Sequence, residues 1–428
     1  MKYQEFLDYI YQRHSGNVKL GLDRIKNILA EMGNPNLKLT GIHVAGTNGK
    51  GSTSAMCEAM ALAHALSTGL NTSPHLVDYR ERIRVDGKDI SFPHLVQTYQ
   101  EWGDMFEKNE ASFFEITTAL AFKYFQQRKV DLAIMEVGLG GRLDGTNPFA
   151  STVSIINSIS MDHPKSLGDT IEKIAFEKAG IIKAHTPVVI GKIKKSAAEV
   201  IKKVAAEKSA PLLEYGKDFE ISNLRLDEKG TTFDYHAPNL DLADVTINLL
   251  GEHQAYNCAV AITAFHIYMQ RTGRTWKEEK LRSGLNRVNW PGRMQILQKN
   301  PTVIIDGAHN EEGVDALMNN IHKIFPNKKI HFVLAILRDK NLEKIIKQIC
   351  EVSYKLYISK NQSTRAAEIE EQAELAISNG TDPIIIPDVV EATKLALSQA
   401  QKDELVFISG SLYTISEILA AKDQLFNP

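Results

Sequence analysis

The sequence predicts an α/β fold in which mostly parallel sheets alternate with helices. Near-continuous apolar runs at 130–137 and 152–156 are typical of strands that are buried on both faces. Helical patterns separate these runs, and parallel strands need such crossovers. Beyond residue 300 the same alternation returns, which predicts a second, smaller α/β unit of about five strands. Its apolar runs lie at 302–305, 330–336, 355–358, 383–386 and 405–408.

Changes in pattern along the chain predict two domains. Residues 1–290 form the first and residues 301–428 the second, and 291–300 is the predicted linker because a proline and a glycine interrupt the pattern there. From 186 the pattern loosens, and short alternating strands near 215–250 predict a small antiparallel addition to the first domain. Helices are predicted at 3–32 with an internal polar turn, 93–108, 115–128 and 252–270.

The segment 40–54 predicts a strand, a phosphate loop and a helix. Its glycines let the backbone turn so that successive N–H groups face an anion, and the helix start adds partial positive charge. Lys50 adds a full charge near the terminal phosphates of a nucleotide. Because glycine and not a hydroxyl residue follows Lys50, a Mg²⁺ ligand has to come from Ser52 or from elsewhere. The loop residues are Gly46, Thr47, Asn48, Gly49, Lys50, Gly51 and Ser52.

Composition excludes several classes of partner. Lys and Arg number 50 against 52 Asp and Glu, for a net charge of −2, so no basic field for nucleic acid or polybasic membrane patch is expected. Cys57, Cys258 and Cys350 are far apart without C-x-x-C spacing, which excludes a disulfide framework and a thiolate zinc site. No basic-then-apolar leader or membrane-length apolar run is present. These features predict a soluble, unexported, cytoplasmic protein.

Lys178 occupies an unusual position on a predicted amphipathic helix. It lies in the middle of the apolar face, where a lysine must extend to solvent, lose its proton or meet compensating charge. From the residues alone, extension of the side chain to solvent is the favoured interpretation. The apolar face consists of Ile171, Ile174, Ala175, Ala179, Ile181 and Ile182.

Three polar residues follow strands of the first domain at the edge that faces the phosphate loop. Ser73, Glu136 and His163 can supply a hydroxyl, a carboxylate and an imidazole to a hard metal ion. Mg²⁺ prefers oxygen ligands, so a histidine ligand is atypical. Two alternatives remain open: Glu136 could pair with Lys50, and His163 could cap a loop.

The second domain also places polar residues after strands. Asp306 could hold a ribose or orient a substrate, and His309 could meet an anion at a helix start. The alternative is an ordinary helix start with Asn310 as N-cap. Arg293 could reach phosphates or be solvated, and the segment 409–411, Ser-Gly-Ser, resembles an anion nest.

An ordered series of motifs extends along most of the chain. They are G-T-N-G-K-G-S at 46–52, T-S-P-H-L at 72–76, E-R-I at 81–83, F-E-I-T-T-A at 114–119, E-V-G-L-G-G-R at 136–142, D-H at 162–163, E-K-A-G-I-I-K at 177–183, P-G-R at 291–293, D-G-A-H-N at 306–310 and S-G-S-L-Y at 409–413. With them the chain closely resembles the folylpolyglutamate synthase family, often bifunctional with dihydrofolate synthase, within the Mur ligase superfamily. Gly145 and Glu311 depart from the family's usual alanine and proline.

The resemblance implies a P-loop Mur-ligase-type ATPase domain with a mostly parallel sheet and a smaller Rossmann-like α/β glutamate-ligase domain. It implies ATP-dependent addition of L-glutamate to folate γ-carboxylates through an acyl phosphate. The residues 19–22 and 73–76 look like the pteroate-side pattern of bifunctional members, which favours addition to dihydropteroate as well. Small molecules are the expected partners, and a monomer is the expected state.

The resemblance also implies roles for single residues. Ser73, Glu136 and His163 would hold Mg²⁺, with two ions expected, and Lys178 would be carbamylated, which replaces the interpretation of a solvated lysine. The catalytic residues would be Lys50, Lys178, His163 and Glu136. Asn257, Arg293 and Asp306 would join the loop in contacting ATP. The substrate-binding residues would be His309, Ser411, Leu20 and Gly21.

Two other functions compete with this interpretation. A Mur-type ligase of cell-wall precursor synthesis would use the same nucleotide chemistry, but no UDP-binding α/β domain is expected before the phosphate loop. A nucleotide-dependent switch protein would use the second domain as a partner module. ADP release with different acceptor substrates would separate the three.

Overall fold

The computed structural model describes residues 2–13 and 21–426, and the chain is an α/β protein as predicted. It divides into two compact units. Unit 1 comprises Met1–Asn223, Phe233–Thr246 and Gln254–Val288, and unit 2 comprises Leu224–Thr232, Ile247–His253 and Asn289–Pro428. Within the described ranges no helix is both long and apolar enough to cross a membrane.

Unit 1 is built on an eight-stranded sheet. Its strands are β1 (Gly41–Ala45), β2 (Thr68–Asn71), β3 (Ile83–Val85), β4 (Lys88–Asp89), β5 (Leu132–Glu136), β6 (Val153–Ile156), β7 (Val188–Ile190) and β8 (Leu212–Glu214). Their order across the sheet is β4-β3-β2-β5-β1-β6-β7-β8. The strands from β2 to β8 in this order are parallel, and β3 and β4 add an antiparallel edge. The carboxyl ends of β1, β2, β5 and β6 therefore share one edge.

The helices that precede or follow these strands agree with the predicted pattern. They are α1 (Tyr3–Gln12), α2 (Asp23–Glu31), α3 (Lys50–Ala63), α4 (Phe92–Lys108), α5 (Phe113–Arg128), α6 (Pro164–Leu167), α7 (Ile171–Ala179), α8 (Lys195–Glu207), α9 (Glu252–Arg271) and α10 (Glu278–Leu285). The central strands bury every side chain, for example Ile42, Ile134 and Ile155. Burial on both faces explains why these strands have continuous apolar sequences.

The segment in which the sequence pattern loosens contains more regular structure than predicted. Strands β7 and β8 extend the parallel sheet, and helix α8 connects them. Both strands are only three residues long. A run this short shows no clear period, which is why the pattern missed it. The predicted small addition is a three-stranded sheet of β9 (Glu220–Asp227), β10 (Gly230–Ala237) and β11 (Leu240–Ile247). Two-residue connections make it antiparallel.

Unit 2 contains a six-stranded sheet with the order β12-β13-β17-β14-β15-β16. The strands are β12 (Gln295–Gln298), β13 (Thr302–Ile305), β14 (Ile330–Leu334), β15 (Lys355–Lys360), β16 (Ile384–Asp388) and β17 (Leu405–Ser409), and the helices are α11 (Glu311–Ile324), α12 (Leu342–Val352), α13 (Ile369–Ser378), α14 (Val389–Gln399), α15 (Leu412–Ala420) and α16 (Lys422–Phe426). All pairs are parallel except β12 with β13. The predicted linker at 291–300 therefore contains an edge strand of this sheet.

Candidate active site

The phosphate loop joins β1 to α3 in a conformation that requires glycine. Gly49 has φ 81°, and a Cβ there would lie 2.2 Å from Asn157 Nδ2 and 2.4 Å from Asn257 Oδ1. Asn157 Nδ2 donates to Asn48 O at 3.1 Å and to Asn257 Oδ1 at 2.7 Å. The loop is therefore packed against two asparagines, one after β6 and one on α9. The resemblance named Asn257, whereas the sequence analysis missed Asn157, although a polar residue directly after an apolar run was a usable signal.

The backbone amides of this loop do not all face an anion site as predicted. The Thr47 N–H donates to Ser158 O at 2.9 Å, and the Asn48 N–H donates to Ser158 Oγ at 2.8 Å. The open amide donors of the site are those of the first turn of α3, because N–H groups at a helix start have no intrahelical partner. Ser52 in that turn is only 2% exposed, so its hydroxyl is buried within the fold.

Two lysines share one carbonyl oxygen of the loop. Lys50 Nζ lies 3.1 Å from Gly46 O and 3.2 Å from Thr47 O, and Lys178 Nζ lies 2.9 Å from Gly46 O. Lys50 contacts no carboxylate within the described part of the chain, so the alternative that Glu136 is its partner is wrong. The ammonium of Lys50 is close enough to disfavour the charge of Lys178.

Lys178 is buried and does not extend to solvent, so that interpretation is wrong. The residue is 4% exposed on α7. Burial and, next, the charge of Lys50 lower its pKa from 10.5 to about 7, against opposing effects of Asp162 and Asp144. At neutral pH a large fraction of its amine is therefore uncharged and nucleophilic.

A cavity next to the loop brings several predicted residues together. It lies where β1, β5 and β6 end, so that Lys50, Lys178 and His163 line one space. His163 is about half exposed, and its Nε2 lies 3.7 Å from Asp162 Oδ2. The lining residues are Gly46, Thr47, Lys50, Val137, Gly138, Leu139, Gly140, Asp162, His163, Leu167 and Lys178.

Ser73 and Glu136 meet at the ends of β2 and β5. The Ser73 N–H donates to Glu136 Oε2 at 3.1 Å, and Glu136 is 4% exposed. Ser73 Oγ is enclosed and has no hydrogen-bond partner. An orphaned hydroxyl beside a buried carboxylate fits a hard cation such as Mg²⁺. No group of three His, Cys, Asp or Glu residues suited to a metal occurs in the described ranges, so a metal here needs the serine hydroxyl, water or phosphate oxygen as further ligands.

A buried arginine lies beside this pair and was not singled out as a site residue from the sequence. Arg82, from the E-R-I motif, is 7% exposed and donates from Nε to His75 Nδ1 at 2.7 Å. Its guanidinium lies 5.0 Å from the centre of the Phe113 ring. His75 Nε2 in turn lies 3.2 Å from the hydroxyl of Tyr11. Burial and, next, Arg82 lower the pKa of His75 to about 3, so its imidazole is neutral at pH 7.

In unit 2 the predicted residues after β13 form a compact turn. Asp306 accepts the Met294 N–H and the Ala308 N–H, both at 2.8 Å. Burial raises its pKa, whereas Arg293 and these backbone donors lower it. His309 Nδ1 lies 2.8 Å from Gly307 O. Asn310 is the N-cap of α11, as the alternative interpretation predicted, because its Oδ1 accepts the Gly313 N–H.

Ser411 and the N-terminal substrate residues need correction or stay predictions. Ser411 is fully buried, and its Oγ caps α15 by accepting the Thr414 N–H at 3.1 Å and the Asn361 Nδ2 at 3.1 Å. A substrate contact through this hydroxyl is therefore not supported. Gly21 lies two residues before α2 with φ 134°, a Cβ built on it would meet no atom within 4 Å, and its role in substrate binding stays a prediction. Leu20 lies outside the described residues.

Comparisons with known proteins identify the family of the chain. Residues 44–265 match the Mur ligase middle domain, and residues 292–412 match the Mur ligase glutamate ligase domain. The chain is 36% identical over 426 residues to the dihydrofolate synthase/folylpolyglutamate synthase of Bacillus subtilis (strain 168), a match that covers 97% of this chain and 98% of that protein.

Two solved structures share the whole fold. The Mycobacterium tuberculosis folylpolyglutamate synthase complexed with ADP is 30% identical with a TM-score of 0.90, and the match covers 99% of this chain and 98% of that one. The Escherichia coli FolC structure in complex with DHPP and ADP is 29% identical with a TM-score of 0.88, covering 98% and 97%. The resemblance seen in the motifs is thereby confirmed: the chain belongs to the folylpolyglutamate synthase/dihydrofolate synthase family of the Mur ligases, which are ATP-dependent ligases.

Proposed function

We propose that this protein adds L-glutamate to the γ-carboxylate of reduced folates, with ATP as the energy source, and that it also adds L-glutamate to dihydropteroate. The observation that carries the proposal is the edge where Lys50 and Lys178 share the carbonyl of Gly46 and Ser73 meets Glu136. The names of the relatives support the substrate class, and the complex of the Escherichia coli relative with DHPP and ADP supports the second acceptor.

The proposed reaction has two steps. A carboxylate oxygen of the acceptor attacks the γ-phosphorus of ATP, the bond to the β–γ bridging oxygen breaks, and an acyl phosphate and ADP form. The amine of glutamate then adds to the acyl carbon, loses a proton, and inorganic phosphate leaves as the amide forms. Negative charge builds on phosphoryl oxygens, so Lys50 and the amides at the start of α3 act by electrostatics and positioning.

We propose that Lys178 is carbamylated, and its environment supports this. The uncharged amine, present in quantity from about pH 7, attacks the carbon of CO₂ and releases a proton, so that a buried base becomes a carbamate anion. That anion would face Lys50 across the Gly46 carbonyl and would convert a repulsion into an attraction. Asp162 and Asp144 already bring negative charge to the surroundings of Lys178. A carbamate there would therefore need a nearby cation to balance its own negative charge.

Mg²⁺ fits the residues at this edge. Ser73 and Glu136 would hold it, with His163 from the cavity wall as a further ligand, and we propose two ions because the carbamate adds a second anionic group. A Mg²⁺ ion held there would supply positive charge to offset the negative charge of the phosphates. Asn257 near the loop, and Arg293, Asp306 and His309 in unit 2, are proposed to bind nucleotide or substrate.

The protein is proposed to act as a monomer in the cytoplasm, in keeping with its free cysteines.

One assay tests the function. ADP release is measured on adding glutamate together with tetrahydrofolate, dihydropteroate, a UDP-muramyl peptide precursor or no acceptor. Glutamate-dependent release with the first two acceptors, and formation of the corresponding amide by mass, is the expected result. Release with the UDP-sugar acceptor would favour a cell-wall ligase. Release that requires no acceptor would favour a nucleotide switch.

A further inference from the structure

Arg82 lies at the same edge of the unit 1 sheet as the phosphate loop, but three strands away from it. It directly precedes β3, and its carbonyl accepts from the Asn71 side chain at 2.8 Å and from the Thr72 N–H at 3.3 Å. Ser73 follows in the chain, so Arg82 lies beside the segment that carries the orphaned hydroxyl. Glu136 is among the nearby charges that act on its guanidinium.

The guanidinium of Arg82 has unused hydrogen-bonding capacity. Its Nε donates to His75, but neither terminal nitrogen donates to another described residue. No carboxylate within the described part of the chain forms an ion pair with it. The terminal nitrogens are not among the fully enclosed unpaired atoms of the described residues. Glu136 and Glu81 act on the guanidinium only from a distance, and a charged group that is this deeply buried without a direct ion pair suits a bound anion.

The sheet order separates this anion from the nucleotide phosphates. The order β3-β2-β5-β1 places Arg82 three strand spacings from the phosphate loop, about 14 Å at the usual spacing of neighbouring strands. Ser73 and Glu136 lie on the strands between them. The backbone of Arg82 is therefore well separated from the start of α3, where the nucleotide phosphates are proposed to bind. The group that approaches the phosphate from the opposite side is the acceptor's carboxylate.

The neighbours of Arg82 suit an aromatic acid. The Tyr11 and Phe113 rings stack with 5.7 Å between centroids and 15° between planes, and Tyr11 is 41% exposed. The Tyr11 hydroxyl is bonded to His75, so this ring is held next to the guanidinium. A partly exposed aromatic ring near a guanidinium whose terminal nitrogens donate to no described residue matches a ligand that has a ring and a carboxylate.

We propose that Arg82 binds the carboxylate of the acceptor that is to be phosphorylated, and that His75 is a positioning residue that fixes the guanidinium. This inference deepens the proposed function and rests on it. Arg82 would hold the carboxylate through both terminal nitrogens, while the Tyr11 ring contacts the aryl part of the acceptor.

The test compares Arg82→Met and Arg82→Lys with the wild-type protein. Removing a charge-assisted bidentate contact is expected to raise KM for dihydropteroate about 10- to 100-fold, with KM for ATP and for glutamate within about twofold. Arg82→Lys keeps the charge without the bidentate geometry, so an intermediate KM is expected. Arg80→Met is the matched control, because Arg80 lies two residues away on the surface and pairs with Asp78. It is expected to behave as wild type.

A second measurement separates binding from folding. Equilibrium binding of dihydropteroate and of its methyl ester is measured in the presence of ADP, with thermal unfolding of each variant alongside. The wild type is expected to prefer the acid over the ester, and Arg82→Met to lose that preference. A raised KM for ATP with an unchanged KM for the acceptor, or an unchanged preference for the acid, would overturn the role of Arg82. A wild-type protein inactive with every folate acceptor would overturn the proposed function instead.

Discussion

The carboxyl edges of the two sheets use their polar side chains in opposite ways. At the edge of unit 1, Ser73 Oγ has no partner and Lys178 is a buried amine held by a single carbonyl oxygen. At the edge of unit 2, both oxygens of Asp306 accept backbone N–H groups, and Ser411 bonds to Asn361 and Thr414. The first edge carries polar groups whose burial costs stability unless a ligand binds, whereas the second satisfies its own polar groups.

The largest expected effect concerns the charge of Lys50. Among the described residues its ammonium donates to the carbonyls of Gly46 and Thr47 alone, so Lys50→Ala should leave the fold intact. Loss of a charge aimed at developing phosphoryl charge should lower kcat by roughly 10²- to 10³-fold. Steady-state ADP release and a thermal melt check both parts. Retained glutamate-dependent release would contradict the role of Lys50 and weaken the contrast between the two edges.

Lys178 should show opposite effects on activity and stability. In the unfolded chain its pKa is near 10.5 and in the folded chain about 7, so folding disfavours the charged amine. The penalty is fully present below pH 7 and fades as the pH rises from 7 to 10.5. In CO₂-depleted buffer Lys178→Met should therefore be more stable than wild type by about 1–4 kcal/mol at pH 6, and by less at pH 9. Urea unfolding at both values measures this difference.

The activity of a Lys178 variant tests carbamylation separately. Lys178→Ala should be nearly inactive, and short carboxylates or bicarbonate should restore part of the activity by replacing the carbamate anion. Wild-type protein that is freed of CO₂ should regain activity with bicarbonate more readily at pH 8 than at pH 6, because more of the amine is neutral. Mass spectrometry of the intact side chain checks the modification, and indifference to added carboxylates would contradict it.

Two serine-to-alanine changes give the smallest and sharpest contrast. Ser411→Ala removes an N-cap and its buried hydrogen bonds, so it should lower the free energy of unfolding by about 1 kcal/mol. Ser73→Ala removes a hydroxyl without a partner, so its stability should change little, whereas its activity should fall and need more Mg²⁺. Denaturant unfolding and Mg²⁺ titration of both variants check the pair. Equal losses of stability would show that the two edges do not differ in this way.

Much of the fold could be predicted because its signals are local. Apolar runs marked the central strands, glycines and Lys50 marked the phosphate loop, and Asn310 was recognised as a possible N-cap. The strands β7 and β8 could not be predicted because three residues carry too little periodicity. The N-cap role of Ser411 was missed although its signal is local, because the Thr414 N–H that Ser411 accepts lies three residues away. The bonding of the loop amides could not be predicted, because their partner is distant in sequence. Ser158, which binds the amides of Thr47 and Asn48, lies more than 100 residues away.

The sequence by itself determined the alternation of strands and helices, the glycine-rich turn after β1 and the placement of Lys178 on an apolar helix face. Only the tertiary structure decided that Lys178 is buried against Gly46, 132 residues earlier in the chain, and that Arg82 forms no direct ion pair within the described part of the chain. The physical reason is that periodicity and turn chemistry act between near neighbours in the chain. Burial, charge compensation and pKa depend on which distant segments the fold brings together.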